Sequence, residues 1–519
     1  MKTFAVFLMI LVAVLQPQPA RSEILTNRSI AVTELDIVSR FSLETVLEHL
    51  IAQNQSQLAQ TPLELFLQWA ETNTVCDPVN GFPLSCREND FLDDQLPFEP
   101  DTFAYKARGL FNRFDLASED GSDCGEYRIV FTRDNTNVTQ VKTLIFEARL
   151  PNIHPQQGVA GCADVINFWA GLSAVDDNSA RADALVDFYF NGIGGFPPVI
   201  HPAHYQRQTG SGQIRTNSFL SDGIWSLREY GLRNQCEPDC RLVFVPQATT
   251  DNPAVSLAQA DSSNAFQDLF IASLTATGSG LLTDDLNTFS FPVPEEFNAA
   301  EALMTSLGGP LAIANIAGSA STQFKTRVQQ QLDSIGSPLT ATQVLNRANI
   351  TTCNGCHQTA IGANIGPDFF LRADLLFRHV TSSVDSSDAP DGPRFLMSSA
   401  LKQNFLPFRK QHMENFLADL LPIDVTFAII NEWDTGYCAQ VDITQTGSQT
   451  VAWTLVVDVT GSVVDNQWGG EFTASEEGLL ITAPAWAQSS LSAGSVINLG
   501  FCGSKTASQW APELVSVRT

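Results

Sequence analysis

Positive charge is what this sequence has least of. Its 29 Lys and Arg stand against 56 Asp and Glu, a net charge of −27 at pH 7. So acidic a chain repels phosphate backbones and anionic lipid, which excludes a nucleic-acid-binding or anionic-surface-binding role. Long hydrophobic runs are scarce as well. The longest, "FAVFLMILVAVL" at residues 4–15, has 12 residues, short of the roughly 20 that a membrane helix needs, so no membrane span is expected. Histidine and methionine number only 7 and 5, which leaves few side chains to complete a metal or cofactor site. No internal repeat is present, which excludes a solenoid or propeller.

What is present is a globular composition, 44% hydrophobic and 16% charged over 519 residues, enough for two or more domains with sizeable cores. Lys2, the apolar run and then "QPQPARS" follow the order of a secretory signal, with cleavage expected after Ser22. The mature chain is therefore expected to be exported, extracellular or at the cell surface or in a periplasm. In such an oxidising compartment the ten cysteines should be bonded or ligated.

Two of those cysteines lie in "TTCNGCHQTA" at residues 351–360. Composition alone would produce Cys-x-x-Cys-His about 0.003 times in such a chain. Three chemistries fit the pattern: covalent haem attachment through Cys353 and Cys356 with His357 beneath the iron, a Cys-x-x-Cys disulfide, and half of a zinc site. Export removes the cytosolic redox reading and weakens zinc, leaving haem c as the expected cofactor. A low-spin iron needs a second axial ligand. His379 in "LLFRHV" and Met397 in "PRFLMSS" are the candidates by loop length, and Arg372 and Arg378 could neutralise propionates. An open sixth position would instead allow peroxide or oxygen chemistry. The remaining eight cysteines are even in number and permit 105 pairings. Nearness and the domain division below favour Cys76 with Cys86, Cys124 with Cys162, Cys236 with Cys240, and Cys438 with Cys502.

Periodicity divides the chain. "FSLETVLEHLIAQN" and "TPLELFLQWA" carry apolar residues at helical spacing behind Ser or Thr caps. "EYRIVFTR", "TLIFEARL", "GQIRTNSFL", "IWSLREYGL" and "CRLVFVPQ" read as strands interrupted by helices at "CADVINFWAGL" and "RADALVDFYFNGI". Helical patterns return at "NAFQDLFIASL", "FNAAEALMTSL", "STQFKTRVQQQL" and "TATQVLNRANI", the last running into Cys353, and again at "FRKQHMENFLADLL". The expected architecture is multidomain: a signal at 1–22, an α+β domain with a helical haem-binding part at 23–422, and an all-β sandwich at 423–519. Five of the eight tryptophans fall in the last part. Trp453 sits among Val451, Leu455 and Val457 on one alternating face and should be core. Trp433, Trp468 and Trp486 lie at strand ends beside polar or small residues and should be exposed.

"NEWDTGYCAQVDITQTGSQTVAWTL", "NQWGGEF", "APAW" and "LSAGSVINLGFCGS" resemble, in order and spacing, the family 2 carbohydrate-binding modules, immunoglobulin-like β-sandwiches that bind cellulose or chitin. The resemblance implies that Trp433, Trp468 and Trp486 form a planar strip that stacks on the sugar rings of an insoluble polysaccharide. This chain departs from the family in having Ala487 where Asn commonly follows the third tryptophan, and in placing Cys438 and Cys502 in interior strands. Much of residues 100–420, through "LFNRFDLASEDGSDCGEYRIVF", "GQIRTN" and "LNRANITTCNGCH", resembles secreted bacterial proteins with a single Cys-x-x-Cys-His and no settled activity.

Export, haem motif and sugar platform together lead to an expected redox or electron-transfer role at cellulose or chitin, with a redox partner protein. Two alternatives remain. A glycoside hydrolase would draw its acid and base from paired carboxylates among the charged strand residues Glu126, Arg128, Glu147, Arg149, Arg215, Arg228 and Glu229. A binding protein without catalysis is the other. His201 and His204 in "IHPAHY" read as a turn beside Pro202 more readily than as metal ligands.

Overall fold

The computed structural model describes residues 23–518 other than 55–59, 75–76, 88–96, 99–103, 135–140, 207–210, 220–223, 237–239, 250–256, 258–264, 276–278, 292, 306–315, 353–362, 367–379, 387–390, 421–422, 446–452, 476–477, 485–494, 508–509 and 511. Among the described residues no helix is long and apolar enough to cross a membrane.

An antiparallel sheet organises the first part of the chain. Its strands β1 (Ala31–Val32), β2 (Lys106–Arg113), β3 (Asp123–Asp134), β4 (Val141–Pro151), β5 (Gln213–Phe219), β6 (Ile224–Cys236) and β7 (Cys240–Gln247) follow one another in chain order. The five strands expected from sequence are β3 to β7, and the two helices between them span Ala163–Gly171 and Asn178–Phe190. Period-two alternation decides which way each side chain faces. Tyr127, Ile129 and Phe131 of β3, with Leu144, Phe146, Ala148 and Leu150 of β4, are all buried on one side. They share a core with the helices Leu43–Gln53, Pro62–Glu71, Ala163–Gly171, Asn178–Phe190 and Leu406–Leu420. Ser42 caps the first of these helices through the Thr45 amide, and Thr61 with Glu64 forms a capping box on the second. Cys124 and Cys162, both fully buried and disulfide-bonded, tie β3 to the start of the helix Ala163–Gly171.

One expectation fails here. "FNAAEALMTSL" is not a helix: Glu295–Phe297 makes a single 3-10 turn and Ala302–Thr305 forms β8, paired antiparallel with Ile224–Leu227 of β6. β6 is long enough that β7 covers only its later residues, and β8 completes the same edge. The apolar run is used up by that pairing, with Ala302 buried against Trp225 and Leu227; edge completion overrides local helical spacing.

Four further helices, Ala265–Ser273, Ile316–Ser319, Thr322–Ser334 and Ala341–Ile350, form a separate cluster around Phe266, Phe270, Phe324, Val328 and Val344. A two-stranded ribbon of β9 (Val380–Asp385) and β10 (Arg394–Met397) follows. The chain then enters a sandwich. One sheet has the order β11 (Ile423–Trp433), β12 (Gly436–Gln445), β17 (Val496–Lys505), β14 (Ser462–Trp468). The other has β15 (Glu471–Ser475), β16 (Gly478–Thr482), β13 (Thr454–Asp458), β18 (Glu513–Arg518). Tyr437, Ala439, Val441 and Ile443 alternate inward along β12 to meet Trp453, Leu455, Val457 and Ile481.

The charged strand residues occupy the face of the first sheet opposite its core. Arg128 is directly across from Glu147, and Arg215 from Glu229. Arg128 reaches Glu126 at 2.6 Å and Glu147 at 3.2 Å; Arg215 reaches Glu147 at 3.4 Å and Glu229 at 3.0 Å. Arg149 pairs with Asp123 at 3.5 Å. Arg228 has the other orientation and meets Glu301 at 3.0 Å, both nearly inaccessible. Burial pushes the Glu147 carboxyl up, but Arg128, Arg215 and a hydrogen bond from Gln213 outweigh it and hold it below the usual range. A general acid needs the opposite, a carboxyl kept protonated; Glu147, ionised between Arg128 and Arg215, links their strands.

The sign of its pH effect follows. With its folded pKa depressed, Glu147 contributes stability that is present above the ordinary carboxylate range and lost as pH falls through the folded value. Urea unfolding between pH 7 and pH 3 should show this loss, and Glu147→Gln should flatten it. At pH 7 the variant should be less stable by about 3 kcal/mol, since it leaves two guanidiniums short of a buried partner.

Candidate functional site

Cys353, Cys356, His357 and His379 lie outside the described residues, as do Arg372 and Arg378. What is described is the framework on either side of the motif. The helix Ala341–Ile350 starts with a Thr340–Gln343 capping box, and just beyond its end the Thr352 hydroxyl donates to the Asn349 carbonyl at 2.7 Å. Beyond the motif, the same helix holds the returning chain. Asn346 Nδ2 donates to the Asn364 carbonyl at 2.8 Å, Arg347 Nε to the Ile365 carbonyl at 2.5 Å, and Gln343 Nε2 to Asn364 Oδ1 at 3.2 Å. Arg347 is buried and also donates to the carbonyls of Leu281 and Thr283, with its guanidinium over the Phe289 ring at 4.9 Å. Both ends of the segment that carries the motif are thus fastened to one helix. The sequence hides this, because Asn346, Arg347 and Asn349 look like a solvated helix face and are all buried.

Met397 ends β10, half-buried in the wall of a cavity of about 570 Å³ that Arg28, Asp391, Arg394 and Lys402 also line. His201 is the cap of a 3-10 turn, accepting from the Ala203 amide at 3.2 Å. His204 lies 3.0 Å from the Val199 carbonyl, and burial pushes its pKa down to about 4. These are structural histidines, and among the described residues no group of three His, Cys, Asp or Glu is arranged to hold a metal ion.

The cysteines outside the motif are joined as Cys124–Cys162, Cys236–Cys240 and Cys438–Cys502. Cys86 is disulfide-bonded, and Cys76 lies outside the described residues. Cys236–Cys240 closes the β6–β7 hairpin.

On the sandwich, Trp433 and Trp468 are exposed, at 45% and 37% of their surface, while Trp453 is 3% exposed. Trp510 is inside the end of the sandwich, stacked on Tyr437 at 4.7 Å with the Lys505 ammonium 4.0 Å over its ring. Trp486 and Ala487 lie outside the described residues. Trp433 and Trp468 end the two edge strands β11 and β14 of one sheet, and each is paired in register with a glycine: Trp433 with Gly436 and Trp468 with Gly500. Both glycines are required. A Cβ at Gly436 would meet Trp433 Cε2 at 2.6 Å, and one at Gly500 would meet Trp468 Cε2 at 2.8 Å, closer than side chains tolerate. Each indole therefore lies across its neighbouring strand with its outer face to solvent. Lys505 fixes the corner beneath Trp433 by donating to the Trp433 carbonyl and to Glu432, both at 2.8 Å. Gln440 and Asn498 donate to Asp442 Oδ1 at 2.8 and 2.6 Å, so polar groups on the same face are held in place. The tryptophans were legible from their polar surroundings; their glycine seats were not, because the pairing that makes them neighbours is non-local in Gly500's case.

Comparison with known proteins bears on this part. Residues 423–519 match the family described as Cellulose binding domain. A stretch of 88 residues, 16% of this chain, is 31% identical to Endoglucanase A of Thermobispora bispora and spans 18% of that protein's length. Among solved structures, the chitin-binding domain of Chi18aC from Streptomyces coelicolor shares 23% identity over 18% of this chain and 89% of that one, with a TM-score of 0.16. The family 2 carbohydrate-binding domain of ScLPMO10C shares 14% over 18% and 92%, with a TM-score of 0.15. The C-terminal residues 423–519 are a family 2 carbohydrate-binding module.

Proposed function

We propose that this protein is anchored on cellulose or chitin by its C-terminal module and that residues 23–422 work there as a redox domain. The observation that carries the anchoring is the pair of exposed indoles seated flat on Gly436 and Gly500. A flat aromatic face matches the apolar C–H face of a pyranose ring, and burying it removes apolar surface from water on both partners. Ordered polar groups around Asp442 then meet ring hydroxyls without having to be immobilised first.

The redox half rests on the motif and on chain chemistry. Two thiols three positions apart and the next imidazole form the donor set for a covalently held haem, and the cysteines among the described residues are all in disulfides, which leaves those two available. Haem c would supply one-electron exchange. His357, with His379 or Met397, would hold the iron. The buried Asn346 and Arg347, by fastening residues 364–365 beyond the motif to the helix that leads toward it, would limit the motion of the attached group.

Two measurements test this. In depletion assays on microcrystalline cellulose and on chitin, Trp433→Ala and Trp468→Ala should each raise Kd about tenfold or more, the loss expected for a central aromatic anchor. Gly436→Val should do the same without removing an aromatic, because its side chain displaces the Trp433 indole. Unchanged binding in all three would end the anchoring reading. Separately, protein matured in an exporting host with haem-ligation machinery should give a covalent pyridine haemochrome that Cys353→Ser with Cys356→Ser abolishes. A colourless protein under those conditions would end the redox reading and leave the anchoring one standing.

A further inference from the structure

The Cys438–Cys502 disulfide lies on the binding face, between the two tryptophans. Along β12 the inward residues are Tyr437, Ala439 and Val441, all fully buried, so Cys438 faces out with Gly436, Gln440 and Asp442. Along β17 Leu499 and Phe501 are inward, so Cys502 faces out with Gly500 and Asn498. The two cysteines are opposite one another in the register, and each is half-buried, unlike the fully buried Cys124 and Cys162.

Its position is central. Gly436 is two residues before Cys438 and Gly500 two residues before Cys502, on antiparallel neighbours. The line joining the two indole seats is four residues long and one strand wide, roughly 14 Å, and the disulfide is at its middle. The flanks repeat as well. Asn431, paired with Cys438 on one side, and Asn466, paired with Cys502 on the other, each follow an irregularity in strand pairing and each stand two residues before a tryptophan. Both asparagines are exposed. "NEW" and "NQW" on the edge strands thus surround "GYC" and "GFC" on the inner ones, an approximate two-fold arrangement about the sulfur bridge.

We propose that the Cys438–Cys502 bridge is a contact platform for the polysaccharide, the middle of three along the face, with Asn431 and Asn466 as hydroxyl-binding flanks. This rests on the reading of the Trp433 and Trp468 face as the binding site. A chain laid across both indoles must pass over what separates them. The bridge is apolar and asks for no hydrogen bond, so a sugar ring can rest on it by its C–H face. Polar side chains there would need their own water or partners. As a covalent link between the strands that carry the two glycine seats, the bridge also fixes the spacing of the indoles.

The direct test uses the intact, full-length protein. A water-soluble phosphine reduces the bridge to two thiols, taking up oxygen from water as it becomes the phosphine oxide, and alkylation followed by mass analysis reports which cysteines were released. Saturating cellohexaose or chitohexaose should slow release of Cys438 and Cys502 several-fold and leave Cys236 and Cys240 unaffected. In parallel, Cys438→Ala with Cys502→Ala should weaken binding to cellulose and chitin roughly tenfold, and Cys438→Val with Cys502→Val, which restores apolar bulk, should recover part of that loss. If the oligosaccharides give no protection and the alanine pair binds as the native protein does while Trp433→Ala does not, the bridge is only a staple and the proposal is overturned. If Trp433→Ala also binds normally, it is the underlying reading of the face that has failed.

Discussion

Cross-strand register is the constraint on which the binding module depends. In the sheet β11–β12–β17–β14 a side chain's opposite number is set by pairing, and the pairs Trp433–Gly436 and Trp468–Gly500 put the two largest side chains of the face over the two smallest. A slip of one residue in β12 would turn Tyr437, Ala439 and Val441 to solvent and bring Gly436 into the core, so the packing of the sandwich and the flatness of the indoles are secured by the same alignment. Burial of the inner face therefore does the aligning, and the outer face inherits it. This is why an exposed tryptophan can be rigid without neighbours packed around it.

The first sheet obeys the same alternation and uses its second face differently. There the residues opposite one another are Arg128 with Glu147 and Arg215 with Glu229, so the register that buries Phe131 and Phe146 also lines up opposite charges. Such a network is costly to desolvate and costly to break, and its energy is better seen as specificity for one pairing than as net stability. Charge alternation in a strand is not by itself a sign of acid–base catalysis. Two flanking guanidiniums hold Glu147 below the usual carboxylate range, which does not suit it to be a general acid.

Local chemistry and the cysteine pairs were readable in the sequence, and non-local strand pairing was not. Ser42 and Thr61 announce their helices because the capping group and the amide it binds are three residues apart. β12 announces itself through strict alternation, and β3 to β7 through their β-branched and aromatic content. β8 was misread as helix because nothing near Ala302 records that β6 has a vacant edge there. Gly500 as a seat for Trp468, and Arg347 as a clamp on both Leu281 and Ile365, depend on residues tens of positions away. Tryptophans beside polar residues were recognisable as surface groups, whereas the sulfur bridge between them became part of the face only when the register was known.

Under the proposed function the two parts of the chain meet different physical demands. A polysaccharide surface is repetitive and flat, and a rigid sheet face with spaced apolar platforms suits it because the ligand offers many equivalent places to bind. A covalently held cofactor asks for the reverse, one place and restricted motion. Helix Ala341–Ile350 supplies that kind of restraint: its buried Asn346 and Arg347 hold residues 364–365 while its own C-terminal turn leads toward the motif, so the residues on both sides of the motif stand on one scaffold. A group attached between those flanks would be carried by the fold of the helical cluster, and the module would carry the cluster to the polysaccharide.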